Sequence, residues 1–238
     1  MTPDPLPASG PVGTAAPPGL AEAERLHWRK PASPRSLRRD ERRWTVWTLG
    51  IVATFGLPSL VLIYLEPLTL PIALIWSAHG WAICRMQARR GVRSVVAIGS
   101  DRSAARQPPG DGGAERAALG LLGDLLDHRE RDLLRRTGLA LQQGRWGVWL
   151  VGEQGALLLR PGGRRIDAFC VRVAEAGDLP GGDRVAHLLL ALREDEAGFA
   201  TVANLGFSGA VRRCRRRMAE GERPALDEAR AAARQMRV

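Results

Sequence analysis

The chain has 238 residues, with 35 basic and 25 acidic side chains, a net charge of +10 and three cysteines. That length accommodates a membrane segment and one soluble domain of ordinary size. Cys84, Cys170 and Cys214 lie far apart with no CxxC spacing, which argues against a disulfide framework and a zinc knuckle and points to free thiols.

Lys30 is the single lysine. With the wealth of Ala, Gly and Pro, this arginine bias has the look of a G+C-rich bacterial genome, so arginine content alone carries little functional weight. The charge is unevenly spread: residues 85–110 hold six basic side chains and one acidic one, whereas 111–238 is close to balance. A dedicated nucleic-acid-binding domain concentrates positive charge on itself, and this distribution disfavours nucleic acid as a partner.

Residues 1–36, rich in proline, alanine, glycine and serine, are predicted to be a disordered tail, because they cannot bury enough apolar surface to offset chain entropy. No apolar stretch follows the first few residues, so the tail does not read as a cleavable signal peptide.

Residues 44–65 then run without a charge, long enough at ~1.5 Å per residue to cross a ~30 Å hydrocarbon core. After Glu66-Pro67 a second uncharged run covers 68–84. The link is too short for a folded element, so residues 37–93 are predicted to form a two-helix transmembrane hairpin with basic flanks. Pro58 is expected to kink the first span, and Gly50 and Gly56 to allow close approach of the second. Arg38, Arg39, Arg42 and Arg43 precede the hairpin, Arg85, Arg89, Arg90 and Arg93 follow it, and its tip has no arginine. The positive-inside rule then places both termini of a two-span plasma-membrane protein in the cytoplasm. His79 falls inside the second span, where an ionisable group is a functional suspect; the favoured reading is an intramembrane polar contact across the hairpin.

Residues 94–113 read as a polar, Gly/Pro-rich linker, and 114–238 as a small cytoplasmic α+β domain. Its first element is one long helix over about 114–142, with Leu119, Leu122 and Leu126 on one face. Three runs at 146–151, 156–160 and 165–173, joined by glycine-containing turns, predict a three-stranded antiparallel meander. The stretch 185–204 fits a helix, with Val185, Leu188, Leu189 and Leu192 in period, or a hairpin; the helix is preferred. Ser208 is expected to cap a basic helix through Met218, and Pro224 to open C-terminal helix 224–235. Residues 111–238 are expected to fold without the hairpin. His187-Leu188-Leu189-Leu190-Ala191-Leu192 followed by Leu205-Gly206 resembles the repeat in the N-terminal domain of Clp-type unfoldases over a short stretch; no second copy exists and no function is carried over.

The functional reading is mostly subtractive. Without a lysine the soluble part has no P-loop and no Schiff-base chemistry, and GxSxG and HExxH are absent. No cofactor or metal is expected. His187, with Asp183 four residues earlier and Cys170 or Ser208 as nucleophile, is the one constellation a membrane-tethered hydrolase could use. Arg212, Arg213, Arg215, Arg216 and Arg217 are the sharpest feature, suited to anionic lipid headgroups or to the phosphates of nucleic acid. The leading expectation is a non-catalytic, membrane-anchored interaction module. Its partners would be the lipid bilayer with its anionic headgroups, or an unidentified cytoplasmic protein. A hydrolase and a membrane-bound nucleic-acid binder are the alternatives.

The flanking arginines make the topology testable. Reporter fusions before Met1 and after Val238 are expected to report cytoplasm, and a tag at Glu66 the outside; an external C-terminus would refute the hairpin.

Overall fold

A computed structural model describes residues 20–26, 28–105, 112–171 and 179–236; residues 1–19 of the expected tail and part of the expected linker lie outside these. Two long apolar helices near the N-terminus lead into an α+β region built on a five-stranded antiparallel sheet.

The first element, α1 (Ala21–Arg25), and the turn after it are docked rather than disordered. The reason lies in α8 (Glu196–Val202), whose C-terminal carbonyls need donors. Arg29 donates to the carbonyls of Thr201 and Val202 at 3.1 and 2.8 Å and to Asn204 Oδ1 at 2.7 Å. The Ala32 amide donates to Thr201 Oγ1 at 2.8 Å. The tail expectation is corrected from Leu20 onward.

Helix α2 (Pro34–Leu65) opens on a capping box in which Ser33 and Ser36 each accept the other's backbone N–H. One 3₁₀ turn at Pro67–Thr69 reverses the chain into α3 (Leu70–Arg93). Both helices are long and apolar enough to cross a membrane, and only 11% of each apolar stretch is buried, unlike the core helices of a soluble protein. Pro58 has no N–H for the Thr54 carbonyl one turn earlier; Trp76 of α3 supplies a donor at 3.4 Å. Ser59 lies within hydrogen-bond distance of Ala73 O and accepts from Ser77 Oγ at 2.9 Å. The close approach uses Gly80, where a Cβ would stand 2.7 Å from Phe55 Cβ. Gly50 and Gly56 have nothing that near, so they do not play the role expected of them.

The expected single helix over 114–142 is two helices and a strand. Helix α4 (Asp101–Ala104) comes first, then α5 (Gly112–Asp124) and α6 (His128–Thr137). The break is a capping box between Asp127 and Glu130, and Gly138 ends α6 in the left-handed conformation at φ 69°. Strand β1 (Ala140–Gln143) follows; β2 (Val148–Gly152), β3 (Gly155–Leu159) and β4 (Arg165–Cys170) are the three strands expected, and the expected three-stranded meander is corrected to five strands because β1 and a later strand pair on its two edges. Helix α7 (Gly181–Glu194) takes the preferred helical alternative. Ser208 lies inside strand β5 (Asn204–Ala210), not at a helix cap, so the basic helix shrinks to α9 (Val211–Arg215). Helix α10 (Arg223–Gln235) closes the chain.

The sheet runs in sequence order, β1-β2-β3-β4-β5, every pair antiparallel. Ala168 pairs with Phe207 and Phe169 with Leu205, so Gly206 is an extra residue bulging from β5. Helices cover both faces. Leu150, Leu157 and Ile166 meet α10 on one side; Trp149, Leu158 and Phe169 meet α7 and α8 on the other.

The first of these cores contains Ala88, Val92, Val95 and Ala97, and the second contains Leu37. The expected linker is therefore partly core: the amide of Glu153 donates to Val96 O at 2.8 Å, and that of Ile98 to Gly138 O at 2.9 Å. Gly91 packs so closely on β5 that a Cβ would stand 2.5 Å from Phe207 Cβ. The core of the domain takes in residues from Ala88 onward, ahead of the expected start at 114, because its sheet needs this segment as a wall. A fragment spanning 111–238 is accordingly expected to unfold without a cooperative transition in urea, whereas one spanning 86–238 regains it; equal behaviour of the two would refute the shared core.

Candidate functional site

The positive charge gathers where three elements meet. On α3, residues four apart share a face, so Arg85, Arg89 and Arg93 form one stripe down its last turns. Helix α4 brings Arg102 alongside, and the turn after α9 brings Arg216 and Arg217. Between them lies a half-open recess of about 390 Å³ lined by Arg89, Val92, Arg93, Val96, Arg102 and Arg217.

Each contributor is held from behind. Helix α4 is capped by Ser100, whose hydroxyl accepts from the Ser103 amide at 3.3 Å. The Ser103 hydroxyl in turn donates to Glu153, and Glu153 is ion-paired at 3.1 Å with Arg184, both fully buried. Arg213 fixes α9 to α3 by donating to the Cys84 carbonyl at 2.8 Å, with its guanidinium 5.3 Å from the centre of the Phe207 ring.

Among the described residues no carboxylate lines the recess. Burial, reinforced by the nearby charges of Arg85, Arg89 and Arg216, holds the Arg217 guanidinium below its ordinary range. Glu222 stands close enough to Arg102 to feel its charge, yet burial raises the Glu222 carboxyl, outweighing the Ala219 backbone hydrogen bond and Arg102. Such a constellation suits an anion with several oxygen acceptors, since guanidinium forks match carboxylate and phosphate geometry.

The five-arginine cluster at 212–217 thus divides. Arg213 is a structural tie, and Arg215 makes a fork to Asp227 with both bonds at 2.8 Å. Arg212 and Arg216 are exposed, and Arg217 alone lines the recess. His79 is exposed and its Nδ1 lies 2.8 Å from Ile75 O in its own helix, so the hydrogen bonds across the hairpin come from Ser59, Ser77 and Trp76 instead.

The hydrolase residues are not brought together. His187 is on the exposed face of α7, Ser208 is buried with its hydroxyl bonded to Asp167, and Cys170 is half-buried at the end of β4. Among the described residues no three His, Cys, Asp or Glu side chains converge as metal ligands do. Arg89, Arg93 and Arg102 entered the sequence reading only as flank or linker charge. The four-residue spacing of Arg85, Arg89 and Arg93 was the available signal; nothing in the sequence ties Arg217 to it. The chain matches no family model, no curated protein and no solved structure.

Burial pushes the Cys214 thiol up to about 12, which leaves on the order of one in 10⁴ ionised at pH 8. Maleimide labelling at that pH is expected to modify Cys214 only after denaturation. Labelling in the folded protein would show that α9 opens.

Proposed function

We propose that this chain is a non-catalytic interaction module of a bacterial plasma membrane, anchored by two spans with both termini in the cytoplasm. Its α+β domain would lie against the anionic inner leaflet and act there on headgroups or on a protein partner. One continuity supports this reading above all. The exposed apolar surface of α2 and α3, from Val46 and Leu49 to Leu74 and Trp81, gives way to exposed Arg42, Arg43, Arg89 and Arg93. The same two helices then run on into the two cores of the domain.

A lipid bilayer accounts for both halves of that surface, hydrocarbon for the apolar band and headgroups for the arginine rim. A tether with a loose linker would let the domain swing away. Here the helices are part of the fold, so the arginines stay within about one Debye length, ~8 Å at physiological salt, of the surface they face. Each basic side chain so placed contributes ~1 kcal/mol at an anionic leaflet. The exposure of His187 on α7, with Ser208 buried and Cys170 half-buried on the sheet, supports the non-catalytic reading over a hydrolase.

The test is hydrogen exchange of the full chain in nanodiscs of phosphatidylcholine with and without phosphatidylglycerol. Residues 85–105 and 211–218 are expected to exchange more slowly with the anionic lipid, and high salt is expected to abolish the difference. Indifference to lipid charge would overturn surface binding.

A further inference from the structure

The recess between α3, α4 and α9 has more structure than a basic rim requires. A rim that only senses surface charge can spread its arginines apart over open surface. This one gathers four guanidiniums about a concavity of about 390 Å³, with Val92 and Val96 as an apolar floor. A volume near the lower end of ligand pockets suits a small polar group. None of the ion pairs in the described structure involves Arg89, Arg93 or Arg217. Glu222, outside the lining, is close enough to Arg102 to feel its charge.

We propose that this recess binds a phosphate group borne by an anionic lipid headgroup, and takes a phosphomonoester dianion in preference to a phosphodiester. The lipid as source rests on the membrane-anchored reading above; the phosphate chemistry of the recess does not. Phosphate offers several acceptors at tetrahedral angles, and the guanidinium forks of Arg89 and Arg93 on α3 and of Arg217 after α9 can each take a pair. A dianion answers the converging charges of Arg89, Arg93 and Arg217 better than a diester's single charge. The mutual repulsion that, with burial, holds Arg217 below its ordinary range is relieved when such an anion enters.

Depth agrees with the assignment. Cys84, the last residue of the uncharged run, precedes Arg89 by five positions, ~7.5 Å along a helix axis. The headgroup layer on each side of a bilayer is ~5–8 Å thick. The recess therefore opens at the level where lipid phosphates lie, with Trp81 above it and Arg85 stacked on that indole at 4.9 Å.

The experiment is native mass spectrometry of the full detergent-solubilised chain equilibrated with equal amounts of phosphatidic acid and phosphatidylglycerol. A parallel arm follows thermal stability in inorganic phosphate against chloride at matched ionic strength. Wild type is expected to retain phosphatidic acid at least fivefold over phosphatidylglycerol. Arg89→Gln combined with Arg217→Gln is expected to lose that preference, and Arg212→Gln, outside the recess, to keep it. Stabilisation by inorganic phosphate without any lipid preference would support the phosphate site and overturn the lipid as its source. Equal retention of both lipids, with no effect of inorganic phosphate, would overturn the site itself. If the double variant does not fold, competition by inorganic phosphate for bound phosphatidic acid on the wild-type chain decides between the same outcomes. Loss of lipid preference while lipid-dependent hydrogen exchange persists sinks only the pocket; loss of that exchange effect sinks the surface reading.

Discussion

Arg160 joins the hairpin to the sheet. Its guanidinium donates to both carboxylate oxygens of Asp167 at 2.6 and 3.0 Å, to Glu41 Oε2 at 2.6 Å and to the Leu37 carbonyl at 2.9 Å. Glu41 also pairs with Arg165 at 2.8 Å, and Ser208 bonds Asp167 from β5. Asp167 is fully buried, and burial pushes its carboxyl up against the opposing pull of Arg160. Desolvating such a charge costs several kcal/mol, so the arrangement persists only because nearly every donor has an acceptor. Removing one partner of a buried pair typically costs about 3–5 kcal/mol. Two strands and the extension of α2 share that dependence.

Because α2 is held by Arg160 and α3 by Gly91 against Phe207, the apolar helices and the domain behave as one body. Trp44 reinforces the junction, its ring centre 5.7 Å from that of Phe207. On the opposite face Glu196 does comparable work, accepting from the Trp149 indole at 2.6 Å and from the amides of Arg145 and Trp146. Most of the buried polar groups described therefore join distant segments and serve the geometry of the fold. The arginine recess differs in that its charges converge on solvent.

Legibility in the sequence followed how much of each element's cause was local. The strands over 148–170 are short, largely apolar runs between glycine turns, and α7 and α10 carry helical periodicity with start signals, so all were readable. Strand β1 is Ala-Leu-Gln-Gln, a helix former by propensity, and only pairing with β2 makes it extended. Strand β5 contains Gly206 and Gly209 and reads as a loop; its reasons to extend are β4 and the hairpin. The break at Asp127 was readable, since Asp-x-x-Glu before a helix is a capping box, but a leucine period on both sides concealed it. The linker reading failed for another reason. Ser94-Val95-Val96-Ala97 sits between arginines and a Gly/Pro-rich stretch, and composition over a window hid a short apolar wall. Of the candidate site, the α3 stripe was visible and its convergence with α4 and α9 was not, because convergence is a property of the folded chain.

The order in which the chain emerges during synthesis gives the shared core a temporal side. Gly91 and Val92 are made early, while Phe207, which packs on Gly91, comes more than a hundred residues later. At ~5–20 residues per second on the ribosome, the interval is roughly 6–23 s. For that time the C-terminal end of α3 presents a finished but uncovered apolar face. The nascent hairpin must wait there, open to proteases and chaperones, until β5 arrives to cover it.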